Sequence, residues 1–406
     1  MPEALRTDDR VESVDKRAVG AGRIARSRGS AGRTQSDMTA FVESCVETAA
    51  DSAVAAERKS HGRPRARRLL HLLADKQNIL VTTHLHPDPD ALASSMALVH
   101  LLREKLPTAK VSMSIKGRIG GGINAEFARL SQLDLTDWDD DTISEYDAVI
   151  LLDTQPGSAY SPLPKTVEPT VVIDHHRGSR RRTHSGFFAD IRTDVGATSS
   201  IVFSYFMELD IEIAPKLGAS LLFGIESDLA GAAGTPGELD NIALSSLTLI
   251  ADTQQLYQMR YVDLPQGYYI AYASALGNAI YYDHALVSHI DEIDSLEKPA
   301  VMADFLLRFQ PIDWALVTAV HEDKLIVSLR TSGKTMTAVE MIRRLVRNVG
   351  DGGGHRTKAG GHILLTNGTP TELARLRDLL RRRFLRALKI RATRGQRLVP
   401  KTNSPV

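Results

Sequence analysis

Histidine and aspartate side chains are concentrated in the segment HLHPDPD, residues 84–90, which directly follows an apolar run. Similar side chains recur in three later segments: AVILLDT at 148–154, VVIDHH at 171–176 and GIESD at 224–228. Carboxylates with a minority of imidazoles suit Mn²⁺ or Mg²⁺ better than a soft metal. Turn chemistry is the alternative for the first segment, because Asp and Pro are common between secondary-structure elements.

Six side chains in these segments are candidate metal ligands. They are His84, Asp88, Asp90, Asp153, His175 and Asp228. Four carboxylates and two imidazoles gathered in one place would repel one another strongly without cations. Six ligands are too many for one catalytic ion that keeps open positions, so two ions that share a carboxylate fit better. Two divalent ions about 3.5–4 Å apart are a common device for activating water against a phosphorus centre.

Each candidate taken alone also has a structural explanation. Asp90 could cap a helix that begins at Ala91, and Asp88 could form an Asx turn. Asp153 could orient the turn that follows it, and Asp228 could lie in solvent at the end of a helix. The metal-site hypothesis is favoured because all of these residues fall where an α/β sheet places its active site, at the carboxyl ends of strands.

The elements that position these residues alternate between short apolar segments and helical segments. Strands are predicted for NILVTTH, KVSMSIKG, AVILLDT and TVVIDHH, and helices for residues 91–106, 197–209 and 215–228. Strands without polar alternation, separated by helices, are typical of a mainly parallel sheet with helices on both faces. We therefore predict an α/β fold with the candidate ligands at one edge of its first sheet.

The rest of the chain differs in composition from this α/β region. The first 37 residues are rich in Arg, Ser, Gly and Ala and cannot bury enough apolar surface to offset ordering. Near the other end, DWALVTAV and KLIVSLRT predict a hairpin in a second, smaller α/β domain. The predicted organisation is a disordered tail at 1–37, a helical lead-in at 38–75, the ligand-bearing catalytic domain at 76–239, a helical connector at 240–299, the smaller domain at 300–390 and a loose tail at 391–406. The active site is expected in the cleft between the two domains.

Composition and charge argue against several classes of protein. The net charge is +1, so no global attraction to nucleic acid or to a membrane is expected. The single cysteine, Cys45, excludes an intramolecular disulfide framework and a cysteine-based zinc site. No apolar run approaches the roughly 18 residues of a membrane span, and the N-terminus lacks the apolar core of a signal peptide. A cytoplasmic protein without membrane contact is therefore expected.

Four motifs resemble, in the same order, those of the DHH phosphoesterase superfamily. They are HLHPDPDA, LLDTQP, VIDHHRG and GIESDLAG, and the third contains the Asp174-His175-His176 run after which the superfamily is named. A fifth motif, GGGHRTKAGG, resembles the glycine-rich substrate loop of the DHH-associated C-terminal domain. The resemblance covers roughly residues 76–390. In length and layout the chain is similar to the branch of bifunctional oligoribonucleases and 3′-phosphoadenosine-5′-phosphate (pAp) phosphatases, the nano-RNase type.

The resemblance implies two Mn²⁺ ions, with Mg²⁺ or Co²⁺ as alternatives, and assigns each candidate ligand to one of them. The first ion would be held by His84 and Asp88, the second by Asp90, His175 and Asp228, and both by Asp153 as the bridging ligand.

Two further side chains are implied to act beside the ions. His176 would face the scissile phosphate and, with Asp153, carry the catalytic role. Asp174 would orient a neighbouring imidazole. Glu226 is close enough in sequence to Asp228 to be a rival ligand, and Asp228 is preferred.

The glycine-rich motif implies that the second domain binds substrate. The residues expected to do so are Arg330, Gly353, Gly354, His355 and Lys358. Glycines would let backbone N–H groups approach a phosphate closely, and Arg330 could fork onto a terminal phosphate. Lys358 stands where the family has alanine, and we expect it to favour a substrate with an extra phosphate, such as pAp. The alternatives are a flexible turn for GDGGG and a solvated strand residue for Arg330.

These implications predict a Mn²⁺-dependent phosphoesterase that hydrolyses short oligoribonucleotides, pAp or both to nucleoside monophosphates. A linear or cyclic dinucleotide phosphodiesterase is the alternative, and a pyrophosphatase is less favoured because the GGGH loop suits a nucleotide-sized substrate. A nucleotide- or nucleic-acid-binding regulator with a decayed site is disfavoured by the six intact ligand positions. The expected partners are the short oligonucleotide or nucleoside bisphosphate substrates. No obligate protein partner is inferred, and a homodimer is compatible with the sequence.

Overall fold

The computed structural model describes residues 64–158, 160–176, 187–230, 236–332, 336–354, 356–392 and 394–400. Several predictions fall outside the described residues: the disordered tail at 1–37, residues 38–63 of the lead-in, His355, and residues 393 and 401–406 of the loose tail.

Eleven α-helices and twelve strands form in the described residues. The helices are α1 (Arg65–Leu73), α2 (Pro89–Lys105), α3 (Ile123–Leu130), α4 (Thr198–Leu209), α5 (Pro215–Leu229), α6 (Glu238–Ile250), α7 (Thr253–Arg260), α8 (Gln266–Asn278), α9 (Lys298–Leu306), α10 (Ala338–Val346) and α11 (Pro370–Ala387). The strands are β1 (Asn78–Thr83), β2 (Lys110–Met113), β3 (Ala148–Leu152), β4 (Val171–Asp174), β5 (Phe188–Ile191), β6 (Ile280–Tyr282), β7 (Ala285–Glu292), β8 (Trp314–His321), β9 (Lys324–Thr331), β10 (Asp351–Gly354), β11 (Lys358–Leu364) and β12 (Gln396–Arg397). Over the ranges given above, every helix is too short or too polar to cross a membrane.

The first sheet consists of five parallel strands in the order β2-β1-β3-β4-β5. β1, β3 and β4 are almost wholly buried, which explains their uninterrupted apolar sequences. β2 lies on one side of β1, and β3 lies on the other side. The connection from β1 to β2 and the connection into β3 therefore run in opposite directions along the sheet, which leaves a crevice at the carboxyl ends of β1 and β3. The predicted α/β fold with a mainly parallel first sheet is confirmed.

The two faces of this sheet are covered by different elements. One face presents Ile79 and Ile150 to a large apolar core that includes residues of α1, α2, α4 and α5. The opposite face presents Leu80 and Val149 to a smaller cluster, together with Ile143 from a one-turn 3₁₀ helix. Helices therefore pack mainly on one face, and segments between β2 and β4 cover the other.

Helices α2 and α5 approach each other closely because small side chains face one another. Gly224 of α5 lies opposite Ala93 of α2, and a Cβ added at Gly224 would be 2.9 Å from the Ala93 Cβ. Asp228 lies one helical turn beyond Gly224, and its carboxylate comes near that of Asp90 on α2. The close packing therefore brings one carboxylate from each helix to the candidate site.

The second sheet contains seven strands in the order β10-β11-β9-β8-β7-β6-β12. β7 and β8 pair in parallel, and the other neighbouring strands are antiparallel. β8 and β9 form the predicted hairpin. Residues of α10 and α11 pack with one face of the sheet, which includes Leu316, and residues of α8 and α9 pack with the other, which includes Val317. The second α/β unit of the predicted fold is thus present.

The structure corrects three of the predicted segments. The helical connector at 240–299 also contains β6 and β7, the loose tail at 391–406 contains β12, and the glycine-rich segment forms β10 and β11 where a loop was expected. β6 and β12 are two or three residues long, and they are stabilised by pairing with each other across more than a hundred residues of sequence. Because these strands depend on pairing with a distant segment, their own short sequences contain no pattern from which a strand could be predicted.

A buried ion pair lies beneath the end of β5. Arg192 is 2% exposed and donates to both carboxylate oxygens of Asp190, which also accepts a hydrogen bond from the Tyr205 hydroxyl at 2.7 Å. Burial disfavours the charged form of Asp190, but the hydrogen bonds and charge of Arg192 outweigh it and lower the pKa of this carboxyl. Removing the arginine would therefore leave a buried charge without its main partner.

We expect Arg192→Met to lower the free energy of unfolding by about 3–5 kcal/mol, the usual cost of breaking a buried pair from one side. Chemical denaturation at neutral pH measures this change. Arg382→Met is the control, because Arg382 pairs with Asp378 at a position where its side chain is 63% exposed, and such pairs contribute less than about 1 kcal/mol. Equal effects of the two substitutions would contradict the assignment of Arg192 to a stabilising buried pair.

Candidate metal centre

Three neighbouring strands of the first sheet end at one place and present candidate ligands there. His84 follows β1, Asp153 follows β3 and His175 follows β4. Asp153 has a positive φ of 54°, and its N–H donates to the carbonyl oxygen of Ile173 at 2.9 Å. This hydrogen bond ties the turn after β3 to the neighbouring strand and holds the Asp153 side chain at the sheet edge.

Asp153 lies at the centre of the site. Its Oδ2 is 3.4 Å from His84 Nε2, and its Oδ1 is 3.4 Å from His175 Nε2. The Oδ1 atom also lies 3.6 Å from His176 Nδ1 and accepts a hydrogen bond from Thr198 Oγ1 at 2.8 Å. The two oxygens therefore face different imidazoles, which is the arrangement that a bridging carboxylate requires.

The candidate ligands form two groups of three, each compact enough to surround one ion. Within each group the ligand atoms all lie within 4.8 Å of one another, and the groups are His84, Asp88 and Asp153, and Asp90, His175 and Asp228. A further group, formed by Asp153, His175 and His176, overlaps both. The structure thus brings all six candidate ligands together. The first group matches the set implied for the first ion, and the second group lacks Asp153, which the resemblance also assigns to the second ion.

The two aspartates at the start of α2 also have structural roles. Asp88 is the N-cap of α2, and its Oδ1 accepts a hydrogen bond from Ala91 N–H at 3.1 Å. Asp90 is fully buried and accepts hydrogen bonds from Thr198 N–H at 2.8 Å and Ser199 N–H at 2.9 Å, at the start of α4. The capping role considered for Asp90 therefore belongs to Asp88, and Asp90 stabilises a different helix. Each carboxylate retains lone pairs for an ion, because two oxygens together offer about four acceptor sites.

His175 carries a buried nitrogen that suits a metal ion. Its Nε2 lies 3.4 Å from Asp153 Oδ1 and 3.1 Å from Asp228 Oδ2, while its Nδ1 is 3.4 Å from the carbonyl oxygen of Val195. Among the described residues the Nε2 atom has no partner in hydrogen-bonding geometry. Leaving a buried polar atom without a partner is costly, and a divalent ion between these carboxylates would supply one.

His176 is held in place by the first residue of the DHH run. Its Nδ1 lies 2.6 Å from Asp174 Oδ1, and its backbone N–H also donates to this oxygen at 3.2 Å. Gln155 donates through Nε2 to Asp174 Oδ2 at 2.7 Å and to the His176 carbonyl at 2.9 Å. Asp174 therefore orients His176, as expected for a residue that acts through a neighbouring imidazole.

Gln155 and Thr198 orient the site, although neither is among the predicted site residues. Gln155 fixes Asp174, and Thr198 donates to Asp153. Gln155 lies two residues after Asp153 within the LLDTQP motif, so its position in the motif is a usable signal. Thr198 stands in a run of small residues at the start of α4, and no feature of that run distinguishes it.

Negative charge exceeds positive charge among the ligands. Burial raises the pKa of Asp90 well above its usual value, and the charges of Asp153 and Asp228 add to this effect. Burial alone would lower the pKa of His84, but the interaction with Asp153 and the charge of Asp88 outweigh it and raise this pKa to about 9. Bound cations would relieve the repulsion between these carboxylates, so the donor set fits divalent metal ions.

The second sheet reaches this site through Lys358. Its Nζ lies 3.4 Å from Asp228 Oδ1 and donates to the carbonyl oxygens of Ser227 at 3.3 Å and Asp228 at 3.2 Å. An ammonium group at the carboxyl end of a helix is favourable because the last carbonyls lack partners within the helix. Lys358 therefore connects β11 to the end of α5, beside a candidate metal ligand.

Arg330 lies next to Lys358 in the second sheet, since the two residues are paired across β9 and β11. The Arg330 Nε donates to Asp304 Oδ1 at 2.7 Å, and one of its other nitrogens donates to Ser328 Oγ at 3.2 Å. The side chain is only 11% exposed, so it is not the solvated residue considered as an alternative. A phosphate bound here would have to share the guanidinium with Asp304.

Gly353 and Gly354 pair with Gly360 and Ala359 in the β10–β11 ladder. Gly354 has a φ of 144°, and a Cβ at this position would lie 2.5 Å from the Ala359 Cα. Only glycine fits there, which gives the glycine-rich motif a structural reason besides phosphate binding. His355 lies outside the described residues, so its predicted role stays a prediction.

Glu226, the rival ligand, points to a different partner. It forms an ion pair with Arg260 of α7, in which Arg260 Nε donates to Glu226 Oε2 at 2.9 Å. In the described part of the chain Glu226 belongs to neither group of three ligands. The geometry therefore favours Asp228.

Comparison with known proteins supports this reading of the motifs. Residues 78–225 match the model of the DHH family, N-terminal domain. An uncharacterized protein from Methanocaldococcus jannaschii is 29% identical over 292 residues, which cover 71% of this chain and 59% of that protein. A probable manganese-dependent inorganic pyrophosphatase from Lactobacillus acidophilus is 30% identical over 173 residues, 41% of this chain and 53% of that protein. The cyclic-di-AMP phosphodiesterase PdeA from Listeria monocytogenes is 25% identical over 312 residues, 73% of this chain and 46% of that protein.

The chain thus spans about half the length of these curated relatives. Among solved structures, an exopolyphosphatase-related protein from Bacteroides fragilis superimposes with a TM-score of 0.62 and 17% identity, and the match covers 80% of this chain and 97% of that one. This likeness concerns the fold. The family match shows a DHH-type N-terminal domain at residues 78–225 of this chain.

Proposed function

We propose that this chain is a Mn²⁺-dependent phosphoesterase that hydrolyses short oligoribonucleotides or pAp to nucleoside monophosphates. The observation that carries the proposal is the pair of three-ligand groups on the carboxyl edge of a parallel sheet. One group contains Asp153, and the other contains His175, whose Nε2 lies 3.4 Å from Asp153 Oδ1. The names of two relatives support it, because a pyrophosphatase and a cyclic-di-AMP phosphodiesterase both hydrolyse bonds between phosphorus and oxygen.

Two divalent ions are proposed as the cofactor, with Mn²⁺ favoured by the relative named as manganese-dependent and Mg²⁺ or Co²⁺ as alternatives. His84, Asp88 and Asp153 would hold one ion, and the group containing Asp90 and His175 would hold the other. When bound, such ions lower the pKa of water and offset charge on the phosphate oxygens.

The chain's own residues would position these ions and handle the proton. Asp153 would keep the two ligand groups at a fixed separation, since its two oxygens face different imidazoles. His176, oriented by Asp174, would protonate the leaving oxygen or offset its charge. Asp174 is buried and lies 2.6 Å from His176 Nδ1, so the imidazole would stay in one orientation.

The second sheet would restrict the substrate to short molecules. Lys358 touches the end of α5, which brings the glycine-rich hairpin close to the metal ligands. A chain that enters this cleft would meet the hairpin and Arg330 a short distance from the scissile bond. We propose that a terminal phosphate is bound there, by Arg330 and backbone N–H groups, and that longer substrates are excluded for this reason.

A linear or cyclic dinucleotide phosphodiesterase is the second candidate. It is supported by the match to PdeA, whose name specifies cyclic-di-AMP and whose alignment covers 73% of this chain. The pyrophosphatase match covers 41% of the chain, so it carries less weight for the substrate.

The test is hydrolysis by purified protein with Mn²⁺, offered dinucleotides, longer RNAs, pAp, cyclic-di-AMP and inorganic pyrophosphate at one ionic strength. We expect the highest kcat/KM for dinucleotides or pAp, and loss of turnover when a chelator removes the metal. Preferential hydrolysis of cyclic-di-AMP would favour the second candidate. Absence of turnover on all five substrates would reject the proposed function.

A further inference from the structure

An exposed aromatic ring lies beside the candidate metal centre, on the loop that follows β3. The residue is Tyr160, which is 42% exposed. Its N–H donates to Ser158 Oγ at 3.2 Å, and its carbonyl accepts a hydrogen bond from Leu85 N–H at 2.8 Å. Leu85 directly follows the candidate ligand His84. The backbone beneath the ring is thus fixed to the segment that carries a metal ligand.

The ring of Tyr160 faces the glycine-rich hairpin of the second sheet. A Cβ added at Gly353 would lie 3.6 Å from Tyr160 Cε2, and glycine leaves that space without a side chain. No hydrogen-bond partner of the hydroxyl and no stacked aromatic ring is found among the described residues. Single exposed aromatic residues are common on surfaces, but this one lies between the two units that border the proposed active site.

A cleft of about 550 Å³ adjoins the same loop. The residues that line it include Leu85, Ser161, Leu163, Lys116 and the carboxylates Asp140 and Asp141. Its walls combine apolar side chains with hydroxyl and acidic groups, and the Lys116 ammonium is held by Asp140 at 2.7 Å. Tyr160 directly precedes the lining residue Ser161. This volume and this mixture of apolar and polar groups are typical of small-molecule sites and suit a base with its ribose.

We propose that Tyr160 and this cleft form a nucleoside-binding subsite, in which the Tyr160 ring stacks on a nucleobase of the substrate. The inference rests on the proposed function, because it names the part of a nucleotide that the metal ligands leave unrecognised. Metal ligands select a phosphoester and cannot distinguish a nucleotide from another phosphate ester. An exposed ring beside them supplies this selection, since aromatic rings stack on the flat face of every base.

Equilibrium binding to the full chain tests the subsite without requiring turnover. Adenosine 5′-monophosphate and ribose 5-phosphate, which lacks the base, are titrated in the presence of Mn²⁺. We expect Tyr160→Ala to weaken adenosine 5′-monophosphate binding by about tenfold and ribose 5-phosphate binding by less than about twofold, as loss of one stacking partner implies. Tyr160→Phe keeps the ring and should bind both as the wild type does. Tyr269→Ala is the matched control, because Tyr269 is 63% exposed on α8.

Kinetics with a 5′-phosphorylated dinucleotide and its abasic analogues separate this inference from the proposed function. Base-dependent binding that requires Tyr160, in a protein that hydrolyses none of the phosphoesters, would reject the proposed function and leave the subsite standing. Turnover in which Tyr160→Ala lowers kcat/KM equally for the intact and abasic substrates would overturn the subsite alone. Failure of the wild type to prefer adenosine 5′-monophosphate to ribose 5-phosphate would overturn it as well.

Discussion

Asp153→Asn is expected to abolish phosphoester hydrolysis and to lower the number of bound Mn²⁺ ions below two. The amide removes the negative charge that faces both ligand groups, and it replaces one of the two oxygens near His84 and His175 by a nitrogen. Even the outer partners of metal ligands are worth about 10–100-fold in affinity or activity, so the loss should exceed this range. Turnover on a dinucleotide and metal content after dialysis are the two measurements.

The substitution isolates the charge, because it disturbs the backbone little. Asp153 has a φ of 54°, and Asn adopts this left-handed region as readily as Asp does. Asp147→Asn is the matched control, since Asp147 lies at the opposite end of β3 and accepts hydrogen bonds from Gln77 and Asn78 N–H groups. We expect the control to keep full turnover and metal content. An Asp153→Asn protein that is active and holds two ions would remove Asp153 from the bridging position.

The first sheet and the ligand set were within reach of sequence analysis for a physical reason. Strands buried on both faces must be apolar throughout, so β1, β3 and β4 appear as short runs of Val, Ile and Leu. A charged residue that follows such a run lies at the edge of the sheet. The apolar pattern therefore places His84, Asp153 and His175 at one edge of the sheet, and the strand order makes the three strands neighbours.

The second sheet was harder to predict from the sequence, because several of its strands pair with segments that are distant in the chain. β12 pairs with β6 through Gln396 and Tyr281, and β10 consists of an acidic residue and three glycines, which have low strand propensity. Contacts across the cleft have no sequence signal at all. Lys358 was predicted to bind substrate because it lies in the glycine-rich motif. In the structure its Nζ contacts the carbonyl end of α5 and the carboxylate of Asp228.

This contact changes what we expect of Lys358. On sequence grounds, Lys358→Ala should reduce hydrolysis of pAp, with its extra phosphate, more than hydrolysis of an unphosphorylated dinucleotide. In the structure the ammonium lies 3.4 Å from Asp228 Oδ1 and holds the end of the helix that carries this ligand. We propose that a lysine in this position acts on the candidate metal centre and holds β11 against α5 to close the cleft, and that every substrate requires both.

We therefore expect Lys358→Met to lower kcat/KM for pAp and for a dinucleotide by the same factor, about 10–100-fold, since hydrogen bonds to a charged group contribute roughly 1.5–3 kcal/mol. Methionine keeps most of the length of the side chain and removes the charge. Affinity for Mn²⁺ should stay the same or rise, because a positive charge next to a ligand carboxylate opposes cation binding.

Steady-state kinetics on pAp and on the dinucleotide, together with a Mn²⁺ titration, distinguish a loss confined to pAp from an equal loss on both substrates. Lys216→Met is the control, because Lys216 is an exposed lysine in the first turn of the same helix. This substitution should change neither kcat/KM nor the affinity for Mn²⁺. A loss confined to pAp would restore the assignment of Lys358 to the extra phosphate. Weaker Mn²⁺ binding with an unchanged kcat would show that the lysine supports the metal ligands directly, and would contradict a role in closing the cleft over the substrate.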